Sequence, residues 1–168
     1  DTALQTAISD LEVVQKETQS NLYFIDYQIE DSIEKITIAT TRPETMMGDT
    51  AIAVNPNDKR YISLVGKNVI IPLVNRRIKI ITDHYADPEQ GSGAVKITPA
   101  HDFNDYMVGK RNKLEIINIF EKDGKINSNG IKDFVGLDRF EARKLIVNKL
   151  SENVHLVKIE QIKNKVPY

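Results

Sequence analysis

Short segments that favour β-strands, separated by turn-forming residues, limit most strongly what this chain can fold into. Residues 22–29 and 35–41 are rich in β-branched and aromatic side chains, and Ile36 and Ile38 fall on one face of the second segment, as in a half-buried strand. Further strands are predicted at residues 68–73, 76–82, 94–98 and 115–120, and the first two of these flank a predicted hairpin turn at residues 74–75. Many short strands predict a β-rich α+β fold, with a closed β-barrel core and short helices on its rim.

Two helices are predicted beside these strands. Residues 138–151 begin with Asp138 as an N-cap and have Glu141 three residues later, which is the capping-box pattern. The other helix is predicted from about Asp102 to about Arg111. In the first of the two, apolar positions recur at spacings of three and four, so one face is expected to pack on the sheet; these positions are Ala142, Leu145, Ile146 and Leu150.

The composition is that of an ordinary globular domain with no large nucleic-acid surface. The 168 residues, 40% hydrophobic and 28% charged, suffice for one domain with its own core. The formal net charge of −1 argues against a basic face that grips long stretches of DNA or RNA. The same net charge is compatible with binding a few nucleotides at the end of an RNA, where a small number of phosphate contacts suffices.

The chain contains no cysteine, which excludes disulfides, thiolate metal sites and a cysteine nucleophile and is compatible with the cytoplasmic location that we expect. His84, His101 and His155 are scattered, so we expect no metal site. No apolar run approaches the roughly 20 residues of a membrane span, and the N-terminus has no signal-peptide pattern. Because the sequence does not begin with Met, we expect it to be a piece of a longer protein.

The segment richest in potential chemistry is residues 91–105, which read GSGAVKITPAHDFND. Lys96 and Thr98 are two residues apart in a predicted strand and therefore project from the same face. Asp102 and Asp105 follow at the predicted start of a helix, where residues three apart share a face. The pattern predicts that a cation, a hydroxyl and two carboxylates meet in one cleft.

A structural explanation of the same carboxylates stands beside this one. Asp102 can serve simply as a helix N-cap, with Asp105 at the third helical position. The two interpretations are compatible, because the dipole field of a helix N-terminus favours an ionised carboxylate. The pair His101-Asp102 could also indicate a metal-dependent phosphohydrolase, but the further ligands that such a site needs have no support in the sequence.

A second candidate segment is Thr40-Thr41-Arg42-Pro43-Glu44-Thr45. Proline cannot continue a central strand, so the chain is expected to turn here and leave the threonines and the arginine at a sheet margin. The pattern is weak by itself, because an arginine in such a place is more often a surface ion-pair former. The turn Gly91-Ser92-Gly93 is not a phosphate-binding loop, since the Lys-Ser/Thr that would follow is absent.

Three segments of the chain closely resemble the editing domain of valyl-tRNA synthetases. They are ATTRPETMMGDTAIAVNP (residues 39–56), GSGAVKITPAHDFNDYMVGKR (residues 91–111) and GLDRFEARK (residues 136–144), and TAISDLEV (residues 6–13) resembles the stretch that leads into that domain. The resemblance implies a class I synthetase insertion domain with a β-barrel core. It further implies that residues 1–168 are a single editing domain, with residues 1–13 and 160–168 as arms connecting it to a parent catalytic domain.

The resemblance also favours the valyl enzyme over its sisters. Leucyl enzymes tend to have Asp where this chain has Glu44, and isoleucyl enzymes carry a Trp-containing segment there, whereas this chain has no Trp. The leucyl and isoleucyl editing domains remain alternatives. Some family members have an aromatic residue before the Gly-x-Gly turn, where this chain has Gln90, so a stacking contact with the terminal adenosine is not expected from this position.

Residue roles follow from the resemblance, position by position. Asp105 is expected to anchor the α-ammonium of the aminoacyl group. Around the side-chain hydroxyl of threonine we expect Lys96, Thr98 and Asp102, and we group these three with Asp105 as catalytic-site residues. The residues expected to line the pocket near the tRNA end are Thr40, Thr41, Arg42, Thr45, Gly91 and Gly93.

The implied activity is hydrolysis of the aminoacyl ester of mischarged threonyl-tRNA(Val). The expected partners are the 3′ end of tRNA(Val) carrying threonine and the parent catalytic domain, with no DNA or membrane. No cofactor is expected for this domain, because the His-Ile-Gly-His and Lys-Met-Ser-Lys-Ser signatures of the site that uses ATP and Mg²⁺ are absent from the chain. A module that only binds the tRNA end is the alternative.

Overall fold

The computed structural model describes the backbone of residues 15–167 and the side chains of residues 20–163. Its strands are β1 (Gln15–Ile29), β2 (Lys35–Thr40), β3 (Ala51–Val54), β4 (Asn68–Ile70), β5 (Arg77–Thr82), β6 (Val95–Ile97) and β7 (Leu156–Pro167). Its helices are α1 (Phe103–Asn112) and α2 (Arg139–Glu152), with short 3₁₀ turns at Pro43–Gly48, Ile62–Leu64 and Lys132–Phe134.

Within the described residues, the strands form one sheet that curls into a nearly closed barrel. The strand order is β2-β1-β4-β5-β3-β6, with β7 paired to β1 outside this path. The ladder between β3 and β5 is parallel and the other ladders are antiparallel. The two ends of the order, β2 and β6, lie against each other, and the Ser92 hydroxyl donates to the backbone oxygen of Thr37 over 2.6 Å. The predicted fold class, a β-barrel core with few helices, is therefore confirmed.

The barrel interior is filled mainly by isoleucines. Ile36 and Ile38 of β2 are buried, as their alternation predicts. From α2 the buried residues are Ala142, Ile146 and Leu150, whereas Leu145 is 41% exposed. The fully buried stripe of this helix is narrower than predicted, because only positions four apart are buried.

The predicted hairpin between β4 and β5 is confirmed, and its turn explains why β4 is shorter than predicted. The two strands pair antiparallel, but β4 ends at Ile70. Pro72 has no N–H to donate to a ladder. Leu73 and Asn75 adopt left-handed conformations, with φ of 65° and 61°.

The strand predicted at residues 115–120 is wrong. Only an isolated bridge between Phe120 and Ile126 occurs there. The backbone groups of this segment find partners other than a neighbouring strand: the N–H of Ile119 donates to His101 Nε2 over 2.9 Å, and the carbonyl of Asn118 accepts from the side chain of Asn127 over 2.9 Å. The apolar pattern is accounted for by packing, since Ile119 is buried in the core.

The structure describes only one of the two segments that are expected to connect the domain to a parent enzyme. Residues 1–13 lie outside the described residues, whereas residues 160–167 belong to β7, which pairs with β1 from Gln15 onward. A role for either segment as a connection to a parent enzyme stays a prediction. Between residues 15 and 167, no helix is both long and apolar enough to cross a membrane.

Candidate functional site

A cleft of about 260 Å³ opens where β2 ends, β6 runs beneath and α1 begins. Its wall brings together most of the residues predicted for the site: Thr40, Thr41, Arg42, Thr45, Lys96, Thr98, Asp102 and Asp105. Tyr85, for which no role is predicted, also lines it, as does His101, which the sequence suggested only for a metal site. The two candidate segments, about 50 residues apart in the chain, thus form one cavity.

Gly91 and Gly93 do not line this cleft, although they were grouped with the pocket residues. Their φ angles are +55° and +85°, a backbone conformation that favours glycine. A Cβ on Gly91 would lie 2.9 Å from that of Ala39, and one on Gly93 would collide with the guanidinium of Arg60. The glycines therefore have a structural reason: Gly91 lets the turn approach β2, and Gly93 leaves room for the Arg60 side chain. Their contact with a tRNA end stays a prediction.

The floor of the cleft is formed by Lys96 and Thr98, which are bonded from behind to Asp49, a residue that the sequence interpretation missed. The Asp49 carboxylate accepts from Lys96 Nζ and from the Thr98 hydroxyl, each over 2.7 Å, and Lys96 also donates to the Thr98 oxygen. Asp49, Lys96 and Thr98 are 0%, 6% and 2% exposed. A single acidic residue two positions before the apolar run of β3 is the signal that could have indicated it.

Asp105 forms the acidic wall beside this floor. Its carboxylate accepts from the backbone N–H of Thr98 over 3.0 Å, and its own N–H donates to the Asp102 carboxylate over 2.9 Å. Asp102 is therefore the N-cap of α1, as the structural explanation predicts, while it also lines the cleft. This local arrangement confirms the N-cap role of Asp102 and is compatible with the functional interpretation of the two carboxylates.

Burial controls the ionisation of this wall. It raises the pKa of Asp105 to about 6; the hydrogen bond from the Thr98 backbone opposes this rise and the nearby Asp102 adds to it. Burial also raises the pKa of Tyr85 to about 12, with further contributions from the charges of Asp105 and Asp102. At neutral pH Asp105 is thus ionised but poorly solvated, which is the condition in which a carboxylate gains most from a cationic ligand.

Arg42 forms the opposite rim. Its Nη1 donates to the backbone oxygen of His101 over 2.7 Å, and its backbone carbonyl accepts from the Thr45 hydroxyl over 2.9 Å. Its Nε is buried and has no hydrogen-bond partner among the described residues; it lies 4.0 Å from the Glu44 carboxylate. Arg42 is thus held at the rim by its backbone contacts more than by an ion pair.

Glu44 is tied to α2 in a way that the sequence did not indicate. It is fully buried and receives two hydrogen bonds of 2.8 Å from Arg143 Nε and Nη2. Such a two-point contact fixes geometry as well as charge. This pair anchors the 3₁₀ turn behind the rim to the helix that packs on the barrel.

His101 lies in the wall as a neutral imidazole. Burial lowers its pKa to about 4, with Arg42 and Lys96 adding to the effect. Its Nε2 accepts from the Ile119 N–H, and its ring contacts that of Phe120 edge-on at 4.7 Å. Among the side chains of residues 20–163, no three of His, Asp or Glu come together in a group that could hold a metal ion.

A wider trough of about 690 Å³ adjoins the cleft and shares Arg42, His101 and Asp102 with it. Phe103 and Phe140 in its wall are 76% and 52% exposed, and the guanidinium of Arg139 lies 5.0 Å from the Phe140 ring. Aromatic faces beside cations are the usual means of holding unpaired nucleotides. The polar floor and the Asp105 carboxylate of the small cleft suit an amine that carries a hydroxyl. The aromatic rings and cations of the trough suit a larger group attached to that amine.

Comparisons with known proteins indicate the family of this chain. The family model described as leucyl-tRNA synthetase, editing domain, matches residues 62–151. The chain is 66% identical to valine–tRNA ligase of Pelagibacter ubique (strain HTCC1062) over 168 residues, 100% of this chain and 19% of that protein. It is 52% identical to valine–tRNA ligase of Synechocystis sp. (strain ATCC 27184 / PCC 6803 / Kazusa) over 166 residues, 99% of this chain and 18% of that protein. The chain thus spans about a fifth of the length of these curated relatives.

Solved structures share the fold. The LeuRS of Agrobacterium radiobacter K84 (agnB2), in a ternary complex with tRNA and LeuAMS, superposes with a TM-score of 0.63 at 21% identity over 99% of this chain and 22% of that one. GlLeuRS-CP1 superposes with a TM-score of 0.64 at 14% identity over 83% of this chain and 98% of that one. Because the family model covers more than half of the sequence, including β6 and α1, the chain belongs to the editing-domain family of the aminoacyl-tRNA synthetases, and its sequence is similar to that of valine–tRNA ligases.

Proposed function

We propose that this domain hydrolyses the aminoacyl ester of threonyl-tRNA(Val), as the editing part of a valine–tRNA ligase. The observation that carries the proposal is the pairing, in one small cleft, of a buried donor–acceptor floor with an acidic wall. Lys96 and Thr98 form the floor and Asp105 the wall. The volume of about 260 Å³ is slightly below the range of about 300–1,000 Å³ typical of small-molecule pockets, which suits an amino acid and little more.

The floor explains why an error is selected. Threonine and valine are nearly isosteric, so an apolar synthetic pocket discriminates between them only about 100-fold, and the valyl enzyme is the known example of this limit. A hydroxyl can bond to Lys96 and Thr98, whereas the methyl of valine cannot pair with the N–H donor and the lone pair that these buried residues keep beside their bonds to Asp49. Each buried group left unpaired costs about 1–3 kcal/mol, so the floor favours the threonyl ester.

The wall orients the ester for attack by water. An α-ammonium bound at Asp105 holds the carbonyl carbon above the floor, and such positioning supplies a large part of a hydrolytic rate. Water oxygen bonds to the carbonyl carbon, the bond from that carbon to the ribose oxygen breaks, and the ribose oxygen takes up a proton. The candidate for accepting the proton of the water is Asp102, one of whose oxygens is engaged as the N-cap while the residue lines the cleft.

The trough beside the cleft suits the end of the tRNA. It continues from the cleft at Arg42 and His101, so an aminoacyl group in the cleft would place its nucleotide near Phe103 and Phe140. Base stacking on aromatic rings is tolerant of sequence. This arrangement fits the near-zero net charge, because a short single-stranded end needs few phosphate contacts.

A deacylation assay with the 168-residue chain tests the proposal. Threonyl-tRNA(Val) should be hydrolysed well above the spontaneous rate and valyl-tRNA(Val) should be spared. Asp105→Ala should abolish the activity while circular dichroism and Tm show an intact fold. Asp133→Ala, at an exposed position, is the matched control and should keep full activity.

The other outcomes distinguish the alternatives. A chain that protects or binds threonyl-tRNA(Val) without hydrolysing it is a binding module. A chain that hydrolyses mischarged tRNA(Ile) or tRNA(Leu) in preference belongs with a sister enzyme. Asp105→Ala with full activity would refute the anchoring role.

A further inference from the structure

We propose that Asp49 is a positioning residue that sets the selectivity of the cleft for a hydroxyl-bearing aminoacyl group, acting through Lys96 and Thr98. The inference rests on the proposed function and deepens it. Asp49 is fully buried and lies behind the floor, whereas Lys96 and Thr98 line the cleft. Its effect on a substrate is therefore indirect.

The Asp49 carboxylate is held from both sides. On the cleft side, Oδ1 accepts from Lys96 Nζ and from the Thr98 hydroxyl, each over 2.7 Å. On the barrel side, Oδ2 accepts from the Tyr27 hydroxyl over 2.5 Å, and Arg76 Nη1 donates to the backbone oxygen of Asp49 over 2.7 Å. The position of Oδ1 is thus determined by the barrel interior before any ligand enters.

These contacts determine which hydrogen-bonding groups the floor presents. A threonine hydroxyl has one proton and two lone pairs, and a lysine ammonium has three N–H donors. Because the Thr98 proton points to Asp49 and Lys96 donates to the Thr98 oxygen, Thr98 keeps one lone pair as an acceptor. Lys96 uses two donors on Asp49 and Thr98, which leaves its third N–H.

A donor and an acceptor therefore lie side by side, and an alcohol matches both. Without the Asp49 carboxylate, the Thr98 hydroxyl would be free to turn its proton toward the cleft, and the Lys96 ammonium would lose its fixed direction. The floor would then remain polar but would no longer be arranged for an alcohol. A loss of selectivity is the expected consequence, beyond any loss of stability.

The test compares kcat/KM of the 168-residue chain for threonyl-tRNA(Val) and valyl-tRNA(Val). Asp49→Asn keeps the shape and removes the charge, and the ratio of the two kcat/KM values should fall about tenfold, as expected for one hydrogen bond to a charged group. The fall in the ratio should come mainly from a lower kcat/KM for the threonyl ester. A folded Asp49→Asn chain with an unchanged ratio would overturn the inference.

Tyr27→Phe is the matched control, because it removes a buried hydrogen bond from the other oxygen of the same carboxylate. It should lower Tm but leave the ratio within about twofold of the wild type, below the effect of one lost hydrogen bond. An equal loss of selectivity in Tyr27→Phe would show that general loosening is the cause, and would overturn the inference.

A double-mutant cycle covers the case in which Asp49→Asn leaves Lys96 unpaired and does not fold. Lys96→Met with Asp49→Asn removes both charges of the pair, a replacement that buried ion pairs often tolerate. If Asp49 acts through Lys96 and Thr98, adding Asp49→Asn to a chain that already carries Lys96→Met and Thr98→Val leaves the ratio unchanged; a further drop in that triple variant overturns the inference. A wild-type chain that hydrolyses neither ester refutes the proposed function itself, whereas a selective wild type with an equally selective Asp49→Asn refutes only the role of Asp49.

Discussion

Asp105→Asn should remove activity and make the fold more stable at neutral pH. Asp105 is 7% exposed, and burial raises the pKa of its carboxyl group from 3.8 to about 6. The unfolded chain solvates the ionised carboxylate well and the folded chain does not. Keeping this charge in an unoccupied cleft is therefore a cost to stability that a bound ammonium would remove.

The magnitude follows from the pKa difference. A rise from 3.8 to about 6 corresponds to about 3 kcal/mol once the group is ionised in both states. The asparagine oxygen can still accept from the Thr98 N–H, but the amide group that replaces the second oxygen needs a new partner at a buried position, which costs about 1 kcal/mol. We expect a net gain of about 2 kcal/mol at pH 7.5, which raises Tm by about 6 °C for a domain of this size.

The difference in stability between Asp105→Asn and the wild type depends on pH in a defined direction. Below pH 3.8 the carboxyl group is protonated in the folded and the unfolded chain, so variant and wild type should differ little. Between about pH 4 and 6 the unfolded chain ionises first, and the wild type loses stability relative to the variant. Above about pH 6.5 the difference should be constant.

Urea unfolding followed by circular dichroism between pH 4 and 8 measures this difference. Asp133→Asn, at an exposed position, is the control and should show no comparable gain. An Asp105→Asn chain that is less stable than the wild type at pH 7.5, or whose gain does not grow from pH 4 to 6, would refute the reasoning. Wild-type deacylation by this variant would refute the anchoring role instead.

Three further outcomes are expected. Thr98→Val, which keeps the shape but removes the hydroxyl, should lower kcat/KM for threonyl-tRNA(Val) about tenfold and leave the slow hydrolysis of valyl-tRNA(Val) unchanged; an unchanged ratio would place hydroxyl recognition elsewhere. The wild-type kcat/KM should rise with pH through about 6, because ammonium binding needs ionised Asp105; a flat profile from pH 5 to 8 would contradict this. Arg143→Met leaves the buried Glu44 carboxylate without its two-point partner and should cost about 3 kcal/mol in urea unfolding, whereas Lys149→Met on the exposed side of the same helix should cost little.

Local sequence patterns sufficed for the parts of the site that depend on neighbours in the chain. The two-residue period of a strand puts Lys96 and Thr98 on one face, and both contact Asp49. The N-cap role of Asp102 and the start of α1 also follow from residues within one helical turn. These predictions succeed because backbone geometry alone determines the direction of the side chains.

Sequence patterns did not predict a strand that is buried on both faces, because such a strand lacks the alternation of polar and apolar residues. All of β3 (Ala51–Val54) is buried, so it has no polar face from which a strand could be recognised, and it was not predicted. Residues 115–120 show the reverse error, because an apolar run there packs on the core while its backbone bonds to His101 and to loop side chains. Periodicity reports which residues are buried and not which backbone groups pair.

The sequence by itself determined a β-rich fold, the capped helices and a strand–turn–helix segment that carries a cation, a hydroxyl and two carboxylates. Only the tertiary structure decided that Asp49, 47 residues before Lys96, is the partner that holds this cation, and that burial raises the pKa of Asp105 to about 6. The physical reason is that a local pattern controls dihedral angles and faces, whereas the charge state and direction of a buried group depend on what the rest of the chain packs around it.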